Sequence, residues 1–264
     1  MRIAIVQIEI AQGDMKANLA RMGLFIARAK KRKADVVIFP EYALTGSVKG
    51  RPHLIDSGGN YRKIFASLAK KHKIDIVAGS FVEKSGGRPY NTSCYFDKSG
   101  RLLGAYRKNN LWHSERGRLS RGNGAAVFDT RFGKAGIAIC WDLANPMLFR
   151  KMAESGARII YVPSFWSDAG ISNRGTESRN IDALCHARAF ENECALVYAN
   201  AAGIYGPGDT LVGHSQLAAP PKGALGKLSH NREGMLLADL PAKFLDRAAK
   251  VYKIREDILS GYIR

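Results

Sequence analysis

The 264-residue sequence holds no apolar run near the roughly 18 residues that a helical membrane span needs, so it does not read as an integral membrane protein. It has only four cysteines, Cys94, Cys140, Cys185 and Cys194. None stands in a CxxC pair or in a His/Cys cluster of zinc-finger spacing, so no metal site is expected. So few thiols in so long a chain also argue against a disulfide framework. Linkers rich in Pro, Gly or Ser, low-complexity tracts and internal repeats are missing, and the chain reads as a single domain over residues 1–264. The opening stretch "MRIAIVQIEI" lacks a small-residue cleavage site and reads as a first strand instead of a signal peptide, which points to the cytoplasm.

Acidic residues are scarce as well: 23 against 41 basic ones leaves a formal net charge of +18. Two basic runs stand out, "AKKRK" at residues 29–33 and "AKKHK" at residues 69–73. Both close amphipathic helical patterns, where cations complement the negative end of the helix dipole. They carry no interleaved aromatics and no known binding motif, so nucleic acid is not an expected partner.

What is present is an alternation of strand-like and helix-like stretches. "RIAIVQI" precedes a helical pattern over residues 15–33, and "ADVVIFP" reads as a strand buried on both faces. A second helical pattern covers residues 61–73, and "IDIVAGSFVE" follows as one strand. "NTSCYFD" and "RLLGAYRK" flank "KSG", while "AAVFDT" and "KAGIAIC" flank "RFG"; both read as hairpins. Pro146 is suited to the first position of a helix running to residue 155, with Gly156 as its cap. "ARIIYVP" is a strand, residues 176–192 a helix and "CALVYAN" a strand. "HSQLAAP", "ALGKLS" and "GMLLADL" read as a meander. The pattern implies a layered α/β sandwich.

Three strand ends carry reactive side chains: "VVIFPEY" carries Glu41, "LGAYRKNNLW" carries Lys108 and "GIAICWD" carries Cys140. Strand ends are where α/β folds aim their chemistry. A cysteine that attacks a C–N bond needs a base for its proton, a positive group for the oxyanion, and an acid for the departing amine. A carboxylate, an ammonium and a thiol meet these needs together.

"FPEYALTG", "YRKNNLW" and "AICWD", in this order, resemble the three signatures of the nitrilase superfamily of carbon–nitrogen hydrolases. "HARAFENECALVYANAAG", "GHSQLAAPPKGAL" and "LPAKFLDRAAKVYKIREDI" resemble the segments that follow in that family, so the likeness spans almost the whole chain. The resemblance implies a four-layer α-β-β-α sandwich that dimerises through its outer helices, with no cofactor. It also implies Glu41 as general base, Lys108 as oxyanion-stabilising lysine and Cys140 as nucleophile, with the backbone N–H of Trp141 joining the oxyanion site. Glu115, seven residues after Lys108, resembles a second carboxylate that positions the lysine and substrate; the alternative is a surface charge beside Arg116. Tyr42, Trp112, Trp141 and Trp166 are candidates for the pocket wall, and Asp142 for a cap on local backbone amides.

The stretch "WDLANPM" narrows the substrate. Ala144 stands where an arginine is frequent in the family, and Leu143 and Ala144 cannot hold the carboxylate of an N-carbamoyl amino acid. Trp141, Pro146 and the spacing in "ERGRLSRGNG" match true nitrilases and Asp142 does not, whereas "FPEYALTG" and "RAFEN" match amidase-type branches. The expectation is a small-molecule amide as substrate, with a nitrile or a carbamoyl amide as alternatives. A different class, a scaffold that keeps the fold without the chemistry, is opposed by the intact Glu41, Lys108 and Cys140. A homodimer or a larger homo-oligomer is expected, its interface drawing on Met147, Leu148, Phe149 and Met152 of the helix at 146–155.

Overall fold

Alternate residues of the first strand go to different cores. In β1 (Arg2–Gln7), Ile3 and Ile5 face one cluster and Ala4 and Val6 the other. In β2 (Val36–Ile38), Val36 and Ile38 divide from Val37 in the same way. This period of two lets one sheet bury both faces, against a second sheet on one side and helices on the other. The computed structural model describes residues 1–168, 172–206, 208–220 and 222–263. Pro221, inside the late hairpin expected from the sequence, lies outside these residues.

Between β1 and β2 runs α1 (Met15–Lys31). Asp14 caps it by accepting from Ala17 N at 2.9 Å, and its buried stripe is Asn18, Met22, Phe25, Ile26 and Ala29. α2 (Asn60–His72) buries Tyr61, Phe65 and Ala69 and leads to β3 (Asp75–Val77). The two basic runs close these helices, and Lys30 Nζ donates to the Lys73 carbonyl at 2.8 Å. Next come β4 (Phe81–Ser85), β5 (Arg88–Phe96) and β6 (Leu102–Arg107). Together with β15 (Gly234–Asp239) these strands make a seven-stranded sheet in the order β15-β1-β2-β3-β5-β4, with β6 on β5.

The second sheet repeats the plan. It contains β7 (Ala126–Thr130), β8 (Gly133–Ile137), β9 (Ile159–Ser164), β10 (Ala195–Asn200), β13 (Gln216–Ala219) and β14 (Gly223–Lys227), in the order β14-β13-β10-β9-β8-β7. The short pair β11 (Ile204–Gly206) and β12 (Asp209–Thr210) lies between β10 and β13 in the chain. α3 (Pro146–Glu154) joins the parallel strands β8 and β9, and α4 (Arg174–Glu191) joins the parallel strands β9 and β10. Asn145 and Asn173 cap them, accepting from Met147 N at 3.1 Å and from Thr176 N at 2.9 Å. α5 (Ala242–Tyr252) and α6 (Ile254–Leu259) follow β15. The layers are helix, sheet, sheet, helix: the four-layer α-β-β-α sandwich.

Three expectations are corrected. "IDIVAGSFVE" is two strands, because Gly79 breaks it with φ +70°, and a Cβ there would stand 2.0 Å from the Pro40 carbonyl oxygen. The last three runs are not a meander: β13 and β14 pair, but β15 crosses to the other sheet and lies antiparallel to β1, with Ile5 opposite Leu236. On α3, Leu148, Phe149 and Met152 turn into the protein's own core, and only Met147, 60% exposed, is left for a partner.

Candidate active site

The carboxyl ends of the parallel strands β2, β8 and β9 lead into the loops that line one cleft of about 880 Å³. This is the edge where α/β sheets open a crevice to ligands. All eight residues expected from the sequence line it: Glu41, Tyr42, Lys108, Trp112, Glu115, Cys140, Trp141 and Trp166.

Each is placed by local structure. Glu41 sits in the turn after β2, and its N–H donates to the Ser164 carbonyl at 3.2 Å. Tyr42 follows with φ +58°, and its N–H donates to Ser80 Oγ at 3.2 Å. Lys108 comes directly after β6, and its N–H donates to the Asn91 carbonyl at 2.8 Å, prolonging the ladder with β5. Glu115 ends a short 3₁₀ turn, His113–Glu115, and its Oε2 accepts from Trp112 N at 2.8 Å. Cys140 is three residues past the end of β8, not its last residue. It opens the 3₁₀ turn Cys140–Ala144 with φ +47°.

Such left-handed backbone at a non-glycine residue stores strain, which the surroundings must hold. Asp142 does this. Its Oδ2 accepts from Ile139 N at 2.9 Å and from the Tyr106 hydroxyl at 2.8 Å. Its Oδ1 accepts from Asn110 N at 2.9 Å and Asn110 Nδ2 at 2.8 Å. The aspartate therefore secures the turn, as the capping reading expects. The first N–H groups of such a turn, Trp141's among them, have no carbonyl partner within the turn.

At the floor of the cleft Lys108, 1% exposed, lies between two carboxylates. Its Nζ is 2.9 Å from Glu41 Oε1 and 2.8 Å from Glu115 Oε2. Glu115 is thus a buried partner of the lysine, not a surface charge beside Arg116. Its Oε1 also accepts from the Tyr42 hydroxyl at 2.6 Å. Asn91, which the sequence reading passed over, ties the group together: its Nδ2 donates to Glu41 Oε1 at 2.8 Å and Tyr42 Oη at 2.9 Å, and lies 3.1 Å from Glu115 Oε1. In "PYNTSC" it reads only as a polar residue in a strand; its place one strand over from Lys108 was the available signal. Phe165 was missed too. Its backbone N–H favours the Cys140 thiolate, and its ring meets Tyr42 edge-on at 6.1 Å.

Electrostatics follow from burial. Burial alone would lower the Lys108 ammonium, but Glu41 and Glu115 outweigh it and the net shift is upward, so it stays charged. Burial would raise Glu115, but Lys108 outweighs it and holds the carboxyl below its ordinary value. Glu41 is raised, by burial first and by Glu115, against the pull of Lys108. The Cys140 thiol is pushed well up by burial and by Glu41, with Lys108 opposing. A base that binds its proton more readily than an ordinary carboxylate faces a thiol that needs one to release its proton to. Both shifts favour transfer at the moment of attack over a standing thiolate.

Fold and site define a class. Residues 2–250 match the carbon–nitrogen hydrolase family, and the chain belongs to it; it is a thiol-dependent hydrolase of carbon–nitrogen bonds. The chain is similar to Probable nitrilase C965.09 of Schizosaccharomyces pombe, at 31% identity over 242 residues covering 89% of this chain and 86% of the relative. It is similar to 2-oxoglutaramate amidase of Bacillus subtilis, at 29% identity over 242 residues covering 90% of each. Its fold is that of the amidase from Nesterenkonia sp. AN1, with a TM-score of 0.82, 28% identity, and coverage of 96% of this chain and 98% of the other. A variant of that amidase carries acrylamide added at its active-site cysteine.

Proposed function

We propose that the chain, as one hydrolase domain, cleaves a small amide to an acid and ammonia through an acyl group carried on Cys140. The observation behind this reading is the Lys108 ammonium held between Glu41 and Glu115 beneath a cleft that contains a thiol. Among the described residues, the hydrogen bonds to the Glu41 side chain fall on Oε1, which leaves Oε2 for the thiol proton. As Glu41 takes that proton, Sγ attacks the carbonyl carbon. The oxyanion forms against Lys108 and the Trp141 N–H. Glu41 returns the proton to the leaving ammonia, and the C–N bond breaks to give a thioester. Water then attacks the thioester, Glu41 takes its proton, and the thiolate leaves, reprotonated by Glu41, as the acid is released. Glu115 keeps Lys108 charged and in place. Ammonia release from amides, nitriles and carbamoyl amides, compared side by side, tests the reading. Faster release from nitriles would replace amidase by nitrilase.

The raised Glu41 carboxyl sets a pH expectation. The base works only when ionised, so activity is lost as pH falls through its raised pKa. The acid limb of kcat/KM therefore lies above the ordinary glutamate value of about 4.3. Glu115 is one cause of the rise, so Glu115→Gln moves the limb of the residual activity to lower pH. A pH–rate profile of both proteins checks this, and an unmoved limb contradicts it.

A homodimer is part of the proposal. Supporting it, exposed apolar side chains gather on the outer layer: Met147 on α3, Leu259 on α6 and Tyr262 beyond it, with the Arg150 guanidinium donating to the Ile263 carbonyl. Sedimentation at micromolar concentration should show twice the 28.9 kDa chain mass. The cytoplasm is the proposed location, since four free thiols suit a reducing compartment.

A further inference from the structure

We infer that the cleft selects amides whose acyl group carries an aromatic ring or a similarly flat apolar body, laid on a wall of Trp112, Trp141 and Trp166; the inference rests on the amidase reading above. The three indoles form one run. Trp112 and Trp141 lie 4.4 Å apart between ring centroids, and Trp141 and Trp166 lie 5.5 Å apart. The middle indole lies beside the nucleophile, because Trp141 is the next residue. Trp166 Nε1 donates to Glu177 Oε2 at 2.9 Å, and Ser172 Oγ donates to Glu177 Oε1 at 2.6 Å. Donor and carboxylate are thus engaged with each other, and the ring face is what Trp166 offers a ligand. Also lining the cleft, Tyr42 has its hydroxyl engaged by Glu115, and its ring packs on Phe165.

The cations point the same way. Lys108 is engaged by two carboxylates, and position 144, the last residue of the nucleophile's turn, is alanine. Among the described residues lining the cleft, the remaining cations are Lys49 and Arg118, and both are solvent-exposed. An acyl group with a carboxylate near its carbonyl would lose water there without gaining a buried cation of its own. A ring would gain area burial together with offset or edge contacts to the indoles. A cleft of about 880 Å³ also has room for far more than acetamide.

The test is kcat/KM by ammonia release for phenylacetamide, butyramide, acetamide and succinamate, on wild type, Trp141→Leu and Trp166→Leu. Phenylacetamide should exceed acetamide and succinamate by at least about 10-fold, the scale on which an apolar pocket discriminates. Its advantage over acetamide should shrink in both variants. Acetamide or succinamate matching phenylacetamide on wild type overturns the inference and leaves the amidase reading standing. So does an undiminished phenylacetamide advantage in both variants. Wild type that is folded by circular dichroism yet releases ammonia from none of the four amides removes the amidase reading itself, and this inference with it. The wild-type comparison decides even if a variant fails to fold.

Discussion

Cys140→Ala and Cys140→Ser are expected to abolish ammonia release while leaving the fold intact. The side chain is 8% exposed, at the start of a turn held by Asp142 from both carboxylate oxygens. Alanine removes one sulfur atom from the cleft wall, and either residue meets the same left-handed backbone as the cysteine. The stability change is therefore small, on the order of 1 kcal/mol. The chemical change is large. Alanine has no nucleophile, and a serine hydroxyl paired with Glu41 lacks the acidity that makes a thiol useful. Loss of a covalent nucleophile costs about 1,000-fold or more in turnover. Two measurements separate this from a packing role: the melting temperature, and the intact mass after incubation with a slow amide. Wild type should gain the mass of an acyl group, and neither variant should. Ammonia release persisting in Cys140→Ala would remove the cysteine from the mechanism. A thiol-reactive probe gives an independent reading, because Cys94, Cys185 and Cys194 are fully buried, raised by burial, and do not line the active-site cleft.

What the sequence made legible was whatever depends on near neighbours. Period two in "RIAIVQI" and the Asn18–Met22–Ile26 spacing place β1 and α1, because burial of one face is written into consecutive residues. Glu41, Lys108 and Cys140 were legible through their short motifs, and Glu115 by its spacing from the lysine. Long-range pairing was not. Nothing in "GMLLADL" tells which sheet edge it will join, and β15 pairs with a strand more than two hundred residues away. Apolar residues around Gly79 hide a break in a line of strand whose two parts both run antiparallel to β5, and only a positive φ reveals it. An apolar helix face such as that of α3 does not say whether it covers its own sheet or another subunit. Asn91 escaped for a related reason: its importance lies in three acceptors, Glu41, Tyr42 and Glu115, that come from distant parts of the chain.

Glu41→Gln and Lys108→Arg are each expected to lower turnover by about 100-fold or more. In the first, glutamine is nearly isosteric, and its amide oxygen can still accept from Asn91 Nδ2 and Lys108 Nζ at the Oε1 position. Lys108 keeps Glu115 as its counter-charge at 2.8 Å, so no buried charge is left unpaired. The fold should survive. Glutamine, however, cannot take the thiol proton or return it to ammonia, so the rate must fall. In the second, the charge survives but its shape changes. A compact ammonium that reaches Glu41 Oε1 and Glu115 Oε2 is replaced by a planar fork whose donors point elsewhere, and its bulk intrudes on the oxyanion position. The competing account makes Glu41, Lys108 and Glu115 a structural ion cluster. Breaking a buried pair then costs roughly 3–5 kcal/mol. On that account the melting temperature drops while the rate per folded molecule stays normal. On the catalytic account the rate collapses in Glu41→Gln with little change in melting temperature. Both quantities, measured on the same preparations, decide the matter, and near-normal turnover in either variant would sink the assignment of base and oxyanion lysine.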